Sequence, residues 1–201
     1  MTDAAIPSLL LGGIPLLGAA FSFVVWSNPD RLRNWSVIVS ILSLAAAVGL
    51  SAYLTVPPEG LLLIYLLQVA ACASLLGQPV HPDHRLSWCM TLLFLGLGMV
   101  VLTSQKLLGQ TALILLLGQT VVLLYRHHTQ LWPISWWGIG TYVLAALCVA
   151  MAIVTPPPLS SGASLLACTI LLPLVPFHDG HLTALTRLPG SLPSFIVLLF
   201  P

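Results

Sequence analysis

Histidine has the most versatile side chain in this sequence, because imidazole titrates near neutrality and binds metal ions. The six histidines occur in pairs between long apolar runs: His81 and His84, His127 and His128, and His178 and His181. A His-x-x-His spacing in a connection is only a weak indication of a metal site. We therefore interpret the histidines as solvated side chains at the ends of the runs, and we expect no bound metal.

Inside the apolar runs the polar side chains are few, and they include the glutamines Gln68, Gln110 and Gln119. A buried glutamine usually joins two helices through a hydrogen bond. It cannot exchange a proton at an accessible pH, so in an ion path it could only position water. We interpret Gln68 and Gln119 as interhelical contacts. An ion path is the alternative for Gln119, and Lys106 and His178 would be its other candidate residues.

The sequence contains no pattern typical of an enzyme that acts alone. There is no nucleophile–base pair, phosphate-binding loop or Rossmann glycine pattern, and no histidine pair within the apolar runs that could ligate haem. The cysteines Cys72, Cys89, Cys148 and Cys168 form no close pair, and we interpret them as small buried apolar side chains. We expect no cofactor and no nucleic-acid partner.

Charged residues occur only at breaks between the apolar runs. The chain of 201 residues has six basic and five acidic residues, is 58% hydrophobic and has a mean hydropathy of +1.04. An ionised side chain at the centre of a bilayer costs several kcal/mol, so such breaks mark the membrane surface. The solidly apolar runs exclude an alternating strand pattern. The sequence predicts an all-α, polytopic transmembrane helix bundle.

The bundle is predicted to have about seven or eight spans in one membrane domain over residues 1–201. A span needs about 20 apolar residues, and Pro156, Pro157 and Pro158 divide the last long run. The predicted spans are 6–26, 35–56, 60–80, 87–105, 107–125, 134–155 and 160–177, and an incomplete eighth begins near Leu192. The fourth and fifth could instead form one bent hairpin, but the alternation of arginines requires two spans.

The basic residues predict the orientation of the bundle. Arg31 and Arg33 lie in the first connection, Arg85 in the third, Arg126 in the fifth and Arg187 in the seventh, whereas Lys106 is alone in the fourth. Cytoplasmic connections carry an excess of lysine and arginine. The odd-numbered connections are therefore predicted to be cytoplasmic, with the N-terminus outside.

The seventh span and the residues after it carry a motif. Pro173 and Pro176 are followed by Phe177 and His178, and Pro189 opens the next segment. This pattern resembles the antiporter-like membrane subunits of respiratory complex I, membrane-bound hydrogenases and multisubunit cation/proton antiporters. Their seventh span typically reads Lys-x-Pro-x-x-Pro-[Phe/Leu]-His and is followed by Trp-Leu-Pro-Asp-Ala-His. The resemblance implies that residues 1–201 form the first helical repeat of such a subunit.

The residues that differ from the family pattern bear on mechanism. The lysine of the family's seventh span falls on Leu171, and the glutamate of its fifth span has no acidic counterpart between Lys106 and Tyr125. Gln119 lies in that neighbourhood, and the Trp-Leu-Pro-Asp-Ala-His stretch is reduced to 179–184. Proton translocation in the family resembles a relay of paired glutamate and lysine residues. The resemblance therefore implies a subunit whose own proton path is lost.

This interpretation predicts a membrane subunit of an NADH dehydrogenase-like or hydrogenase-linked ion-translocating complex. Its partners would be the lipid bilayer and other membrane subunits, in a bacterial-type inner or other energy-coupling membrane. It would be at most a non-catalytic subunit of a quinone oxidoreductase-type complex. The alternative is an unrelated small polytopic protein that acts as a scaffold, an assembly factor or a transporter. A third possibility is conduction through glutamine and water, with charged residues supplied by a partner subunit.

The predicted orientation is tested by labelling single cysteines. Cysteine introduced at Asn34, in the first connection, and at Glu59, in the second, should react with a membrane-impermeant thiol reagent from opposite faces. The unsubstituted chain, whose four cysteines lie within or at the edge of spans, provides the background. Equal labelling of both positions from outside would contradict the orientation.

Overall fold

The fold was derived from a computed structural model that describes residues 5–54, 56–104, 106–126, 136–172, 177–188, 190, 192, 193 and 195. All regular elements in these ranges are helical. The α-helices are α1 (Ala5–Ser22), α2 (Pro29–Leu50), α3 (Pro58–Gly77), α4 (Arg85–Thr103), α5 (Lys106–Arg126), α6 (Trp136–Val154), α7 (Leu159–Leu171) and α8 (His178–Arg187). Short 3-10 turns follow α2 (Ser51–Tyr53) and precede α4 (Pro82–His84).

The fold is an all-α polytopic helix bundle, as the sequence predicted. Five helical segments of the described chain are long and apolar enough to cross a membrane: Pro29–Tyr53, Pro58–Gly77, Pro82–Thr103, Leu107–Arg126 and Trp136–Val154. Two shorter apolar helices, Leu9–Ser22 and Leu159–Leu171, accompany them. The number of spans and the external N-terminus remain predictions.

Local sequence signals account for where the helices begin. Asn28 caps α2, because its Oδ1 accepts hydrogen bonds from the backbone N–H groups of Asp30 at 3.1 Å and Arg31 at 3.3 Å. Proline opens α2 at Pro29 and α3 at Pro58, where its missing N–H would be unsatisfied in any case. These starts fall a few residues before the predicted spans, since polar capping residues belong to the helix but not to the apolar run.

Helix α4 lies at the centre of the bundle and packs against α1, α2, α3 and α5. In the most apolar 18 residues of its segment, 61% are buried, compared with 28% in the segment that contains α2. Trp88, Leu92, Phe94, Leu95 and Met99 are fully buried. A helix that is apolar on all sides is expected in such a central position. The remaining helices follow in chain order, with α5 against α6 and α6 against α7 and α8.

Helices α1 and α4 approach closely at glycines. A Cβ atom placed on Gly96 would lie 2.6 Å from Cγ of Leu16 and 3.1 Å from the carbonyl oxygen of Gly12. A Cβ atom on Gly12 would lie 3.2 Å from the carbonyl oxygen of Gly96 and would also collide with Val100. Small residues allow such close packing between membrane helices. Gly96 therefore has a packing role at the contact between α1 and α4.

The fourth and fifth predicted spans are two separate helices. α4 ends at Thr103, Ser104 adopts an extended conformation, and α5 begins at Lys106. Each helix is long enough to cross a membrane by itself, as the interpretation with two spans requires.

The seventh helix is shorter than the predicted span 160–177. It ends at Leu171, and Leu172 is extended with φ −71° and ψ 142°. A residue that precedes proline is disfavoured in the helical region, and Pro173 follows Leu172. The motif residues Pro173, Pro176 and Pro189 lie outside the described residues. The chain re-enters helix at His178, in a segment that the sequence had indicated as a connection.

The glycine contact between α1 and α4 predicts different effects for two adjacent substitutions. Gly12→Ala should lower the free energy of unfolding by about 1–3 kcal/mol, because the added methyl group overpacks the contact with α4. Gly13→Ala is the matched control, since nothing lies within 4 Å of a Cβ atom at that position, and it should cause no loss. Equilibrium unfolding in mixed micelles measures both, and equal losses would contradict the close approach.

Candidate functional site

The structure does not bring the three candidate ion-path residues together. Gln119 lies inside α5, Lys106 is the first residue of α5, and His178 is the first residue of α8. Lys106 and Gln119 are separated by roughly 20 Å along the helix axis, at 1.5 Å for each residue. His178 belongs to a different element, which packs mainly against α6. Lys106 and Gln119 are therefore too far apart to share one site.

Gln119 contributes a contact between two helices. Its Nε2 donates a hydrogen bond to Sδ of Met90 on α4, at 2.9 Å, and the side chain is partly buried. A thioether sulfur is a weak acceptor that takes up no proton in the accessible pH range. The contact joins α5 to α4, as an interhelical role requires.

His178 and Phe177 lie at the start of α8. Nε2 of His178 is 3.5 Å from Oδ1 of Asp179, with the histidine side chain 45% exposed, so this pair is only partly shielded from solvent. Phe177 is the residue before the first turn of α8 and packs against the main hydrophobic core. Of the proposed family motif, these two residues are within the described part of the chain.

A buried polar seam joins α2 to α3. Nε2 of Gln68 donates to Oγ of Ser43 at 2.9 Å, and Sγ of Cys72 donates to Oγ of Ser40 at 3.4 Å. Gln68, Ser40 and Ser43 are fully buried. The predicted interhelical role of Gln68 is confirmed by this contact. Its Oε1 is also buried but accepts no hydrogen bond.

The serines of this seam have a helical spacing that the sequence prediction, which considered the glutamines, did not use. Ser36, Ser40 and Ser43 are spaced by four and three residues, so they share one face of α2. All three are fully buried. The first of them satisfies its hydroxyl within α2, since Oγ of Ser36 donates to the carbonyl of Leu32 at 2.9 Å. The helical spacing of hydroxyl residues in an apolar run could have identified the face of α2 that meets α3.

Two arginines join separate connections at one end of the bundle. We call this end the arginine end and define it by Arg33, Arg85 and their hydrogen-bond partners. Nη2 of Arg33 donates to the carbonyl of Leu76 at the end of α3, at 3.2 Å. Nη2 of Arg85 donates to the carbonyl of Ser27, between α1 and α2, at 3.3 Å. These contacts place the first and third connections at the same end, as the predicted alternation requires.

The segment after α8 returns to this end. Nε2 of Gln78 donates to Oγ of Ser87 at 2.9 Å, and both side chains are buried. A Cβ atom on Gly190 would lie 2.8 Å from each of these two polar atoms, and Gly190 has φ +64°. Both the close approach and the left-handed backbone favour glycine there. The seventh connection therefore reaches the same end as the first and third.

Helix α8 is fixed by two polar contacts to the bundle. Nε2 of His181 lies 2.7 Å from the carbonyl oxygen of Leu171, at the end of α7, where helical carbonyls lack partners. The hydroxyl of Tyr142 on α6 donates to the carbonyl of Gly180 at 3.3 Å. His181 is 8% exposed, so it is a buried structural contact and not the solvated residue that the sequence predicted.

A cavity of about 350 Å³ lies where α6 meets α7. It is lined by Met151, Thr155, Pro158, Leu159, Gly162 and Ala163. The hydroxyl of Thr155 already donates to the carbonyl of Met151 at 2.7 Å. No charged side chain lines this cavity, and nothing in it indicates a reaction.

The described part of the chain contains no group of three or more histidine, cysteine, aspartate or glutamate side chains that could hold a metal ion. Comparisons with protein-family models, with curated proteins and with solved structures found no significant match to this chain. The function must therefore be inferred from the residues themselves.

The polar seam predicts a measurable coupling between α2 and α3. In a double-mutant cycle with Gln68→Leu and Ser43→Ala, the coupling energy should be about 0.6 kcal/mol, the average for hydrogen bonds between membrane helices. Ser36→Ala is the control partner, because Ser36 bonds within its own helix, and its coupling to Gln68→Leu should be close to zero. Equal coupling in the two cycles would show that the Gln68–Ser43 hydrogen bond is not specific.

Proposed function

We propose that this protein is a membrane subunit of an NADH dehydrogenase-like or hydrogenase-linked ion-translocating complex, with a structural role and no proton path of its own. It would reside in a bacterial-type inner or other energy-coupling membrane. The proposal rests on the Pro-x-x-Pro-Phe-His pattern ending at His178, together with the polar contacts inside the helices.

The non-conducting role is supported mainly by the chemistry and the hydrogen bond of Gln119. This residue is in the neighbourhood where the resembling subunits have a glutamate, and its amide is bonded to the sulfur of Met90. Leu171 stands where those subunits have lysine, and it is the last residue of α7. A proton relay needs groups that exchange protons at mid-depth, because a bare charge in the bilayer costs several kcal/mol. Neither glutamine nor leucine provides such a group.

A role in packing is supported by the broad apolar surface of the bundle. Ile38 and Leu42 on α2, and Leu62, Leu66 and Val69 on α3, are 48–68% exposed. In a bilayer such faces contact lipid chains or the helices of neighbouring subunits. A subunit embedded among other membrane subunits would use these faces to contact lipid and to contact its neighbours.

The non-conducting role is tested by reconstituting the purified chain in liposomes with an internal pH dye. Proton and sodium flux should not exceed that of protein-free liposomes, because the sequence has no acidic residue between Lys106 and Tyr125 and has Leu171 in place of the lysine. Gln119→Ala should leave this background unchanged while lowering the free energy of unfolding by about 1 kcal/mol, the scale of an intramembrane hydrogen bond.

Gln110→Ala, on the same helix, is the matched substitution, and a protonophore added at the end verifies that the liposomes are sealed. Proton flux that exceeds the lipid background and is lost in Gln119→Ala but not in Gln110→Ala would contradict the proposal. That result would instead assign an active path through glutamine and water.

A further inference from the structure

The arginine end has hydrogen-bond donors that the protein itself leaves unused. Each guanidinium has five N–H donors, and Arg33 and Arg85 each make one bond to a backbone carbonyl. The Nε atom of each is buried and has no partner. The ion pairs found among the described residues are His81–Asp83 and His178–Asp179, so neither arginine is neutralised by a carboxylate.

The electrostatics at this end favour an anion. α2 and α4 begin here, but α1 and α3 end here, so the partial charges of the helix ends largely cancel and the positive charge comes from the arginines. The nearby carboxylates are Asp30, in the first turn of α2, and Asp83, whose Oδ2 is 3.3 Å from Nδ1 of His81. Guanidinium groups match phosphate oxygens in geometry as well as in charge.

An apolar, aromatic surface adjoins the arginine end at the end of α1. Phe21 is 55% exposed, Phe23 is 66% exposed and Val24 is 72% exposed. Phe21 packs against Trp35 with ring centroids 5.5 Å apart, and Phe23 stacks on Trp26 at 6.0 Å. Tryptophan at the end of a span is typical of the membrane–water interface. A molecule with an anionic head and an apolar tail would satisfy both surfaces.

We propose that the arginine end binds the phosphate of an anionic phospholipid, with the guanidinium groups of Arg33 and Arg85 as donors and the Phe21–Val24 surface as the site for an acyl chain. A free phosphate ion would satisfy the same donors but would leave the exposed aromatic surface unused. This inference depends on the chain being a membrane protein and is independent of the proposed complex.

Native mass spectrometry of the detergent-purified full chain tests the site. Phosphatidylglycerol should bind more tightly than phosphatidylcholine, and Arg33→Gln and Arg85→Gln should each weaken phosphatidylglycerol binding about fivefold, the usual scale for one basic residue at an anionic membrane surface. Arg126→Gln, an exposed arginine at the end of α5, is the matched control and should leave the affinity unchanged.

Two further results complete the test. Arg33→Lys and Arg85→Lys keep the positive charge but lose the planar set of donors that matches phosphate, so they should still weaken phosphatidylglycerol binding if the glutamine variants do not fold. Inorganic phosphate at millimolar concentration should not displace the bound lipid. Equal binding of the two lipids, equal loss in Arg126→Gln, unchanged binding in both lysine variants, or displacement by inorganic phosphate would each overturn the proposal.

Discussion

The structure depends on one constraint, which is that lipid offers no hydrogen bonds to the polar groups of a helix. The hydroxyls within the spans satisfy this constraint mostly inside their own helices, as when Thr91 donates to the carbonyl of Ser87 and Thr120 to that of Leu116. Two glutamines pair between helices, Gln68 with Ser43 and Gln119 with Met90. These hydrogen bonds are directional, whereas apolar packing is not, and they join α3 to α2 and α5 to α4.

The same constraint explains why charge collects at the ends of the helices. The guanidiniums of Arg33 and Arg85 lie where backbone carbonyls at the end of α3 and between α1 and α2 lack helical partners. They join connections that are distant in sequence, and the contact of Gly190 with Gln78 and Ser87 adds the segment after α8. The interior, in contrast, is built from small-residue contacts such as Gly12 with Gly96. The arginines thus join connections at one end of the bundle, and the interior is held by close packing and a few hydrogen bonds between helices.

The sequence predicted the helical class and the approximate limits of α2 to α6, because a span must be a long apolar run and charges mark its ends. It predicted α7 too long, since Leu172 and the prolines that follow are as apolar as the helix itself, and hydropathy does not register backbone conformation. It assigned α8 to a connection because the polar residues from His178 to Arg187 are compatible with a loop as well as with a short helix. The partners of Arg33, Arg85 and Gln68 depend on which helices meet, which one sequence does not specify.

The central claim is that this chain works as a subunit within a larger ion-translocating assembly. The most direct measurement is the mass and composition of the particle that contains it, after extraction from its native membrane in a mild detergent. The account predicts a particle much larger than the 21.4 kDa chain, with quinone-reducing or ion-translocating subunits present in fixed proportion to it. A particle that contains only this chain and lipid would contradict the account and would favour an independent scaffold or transporter.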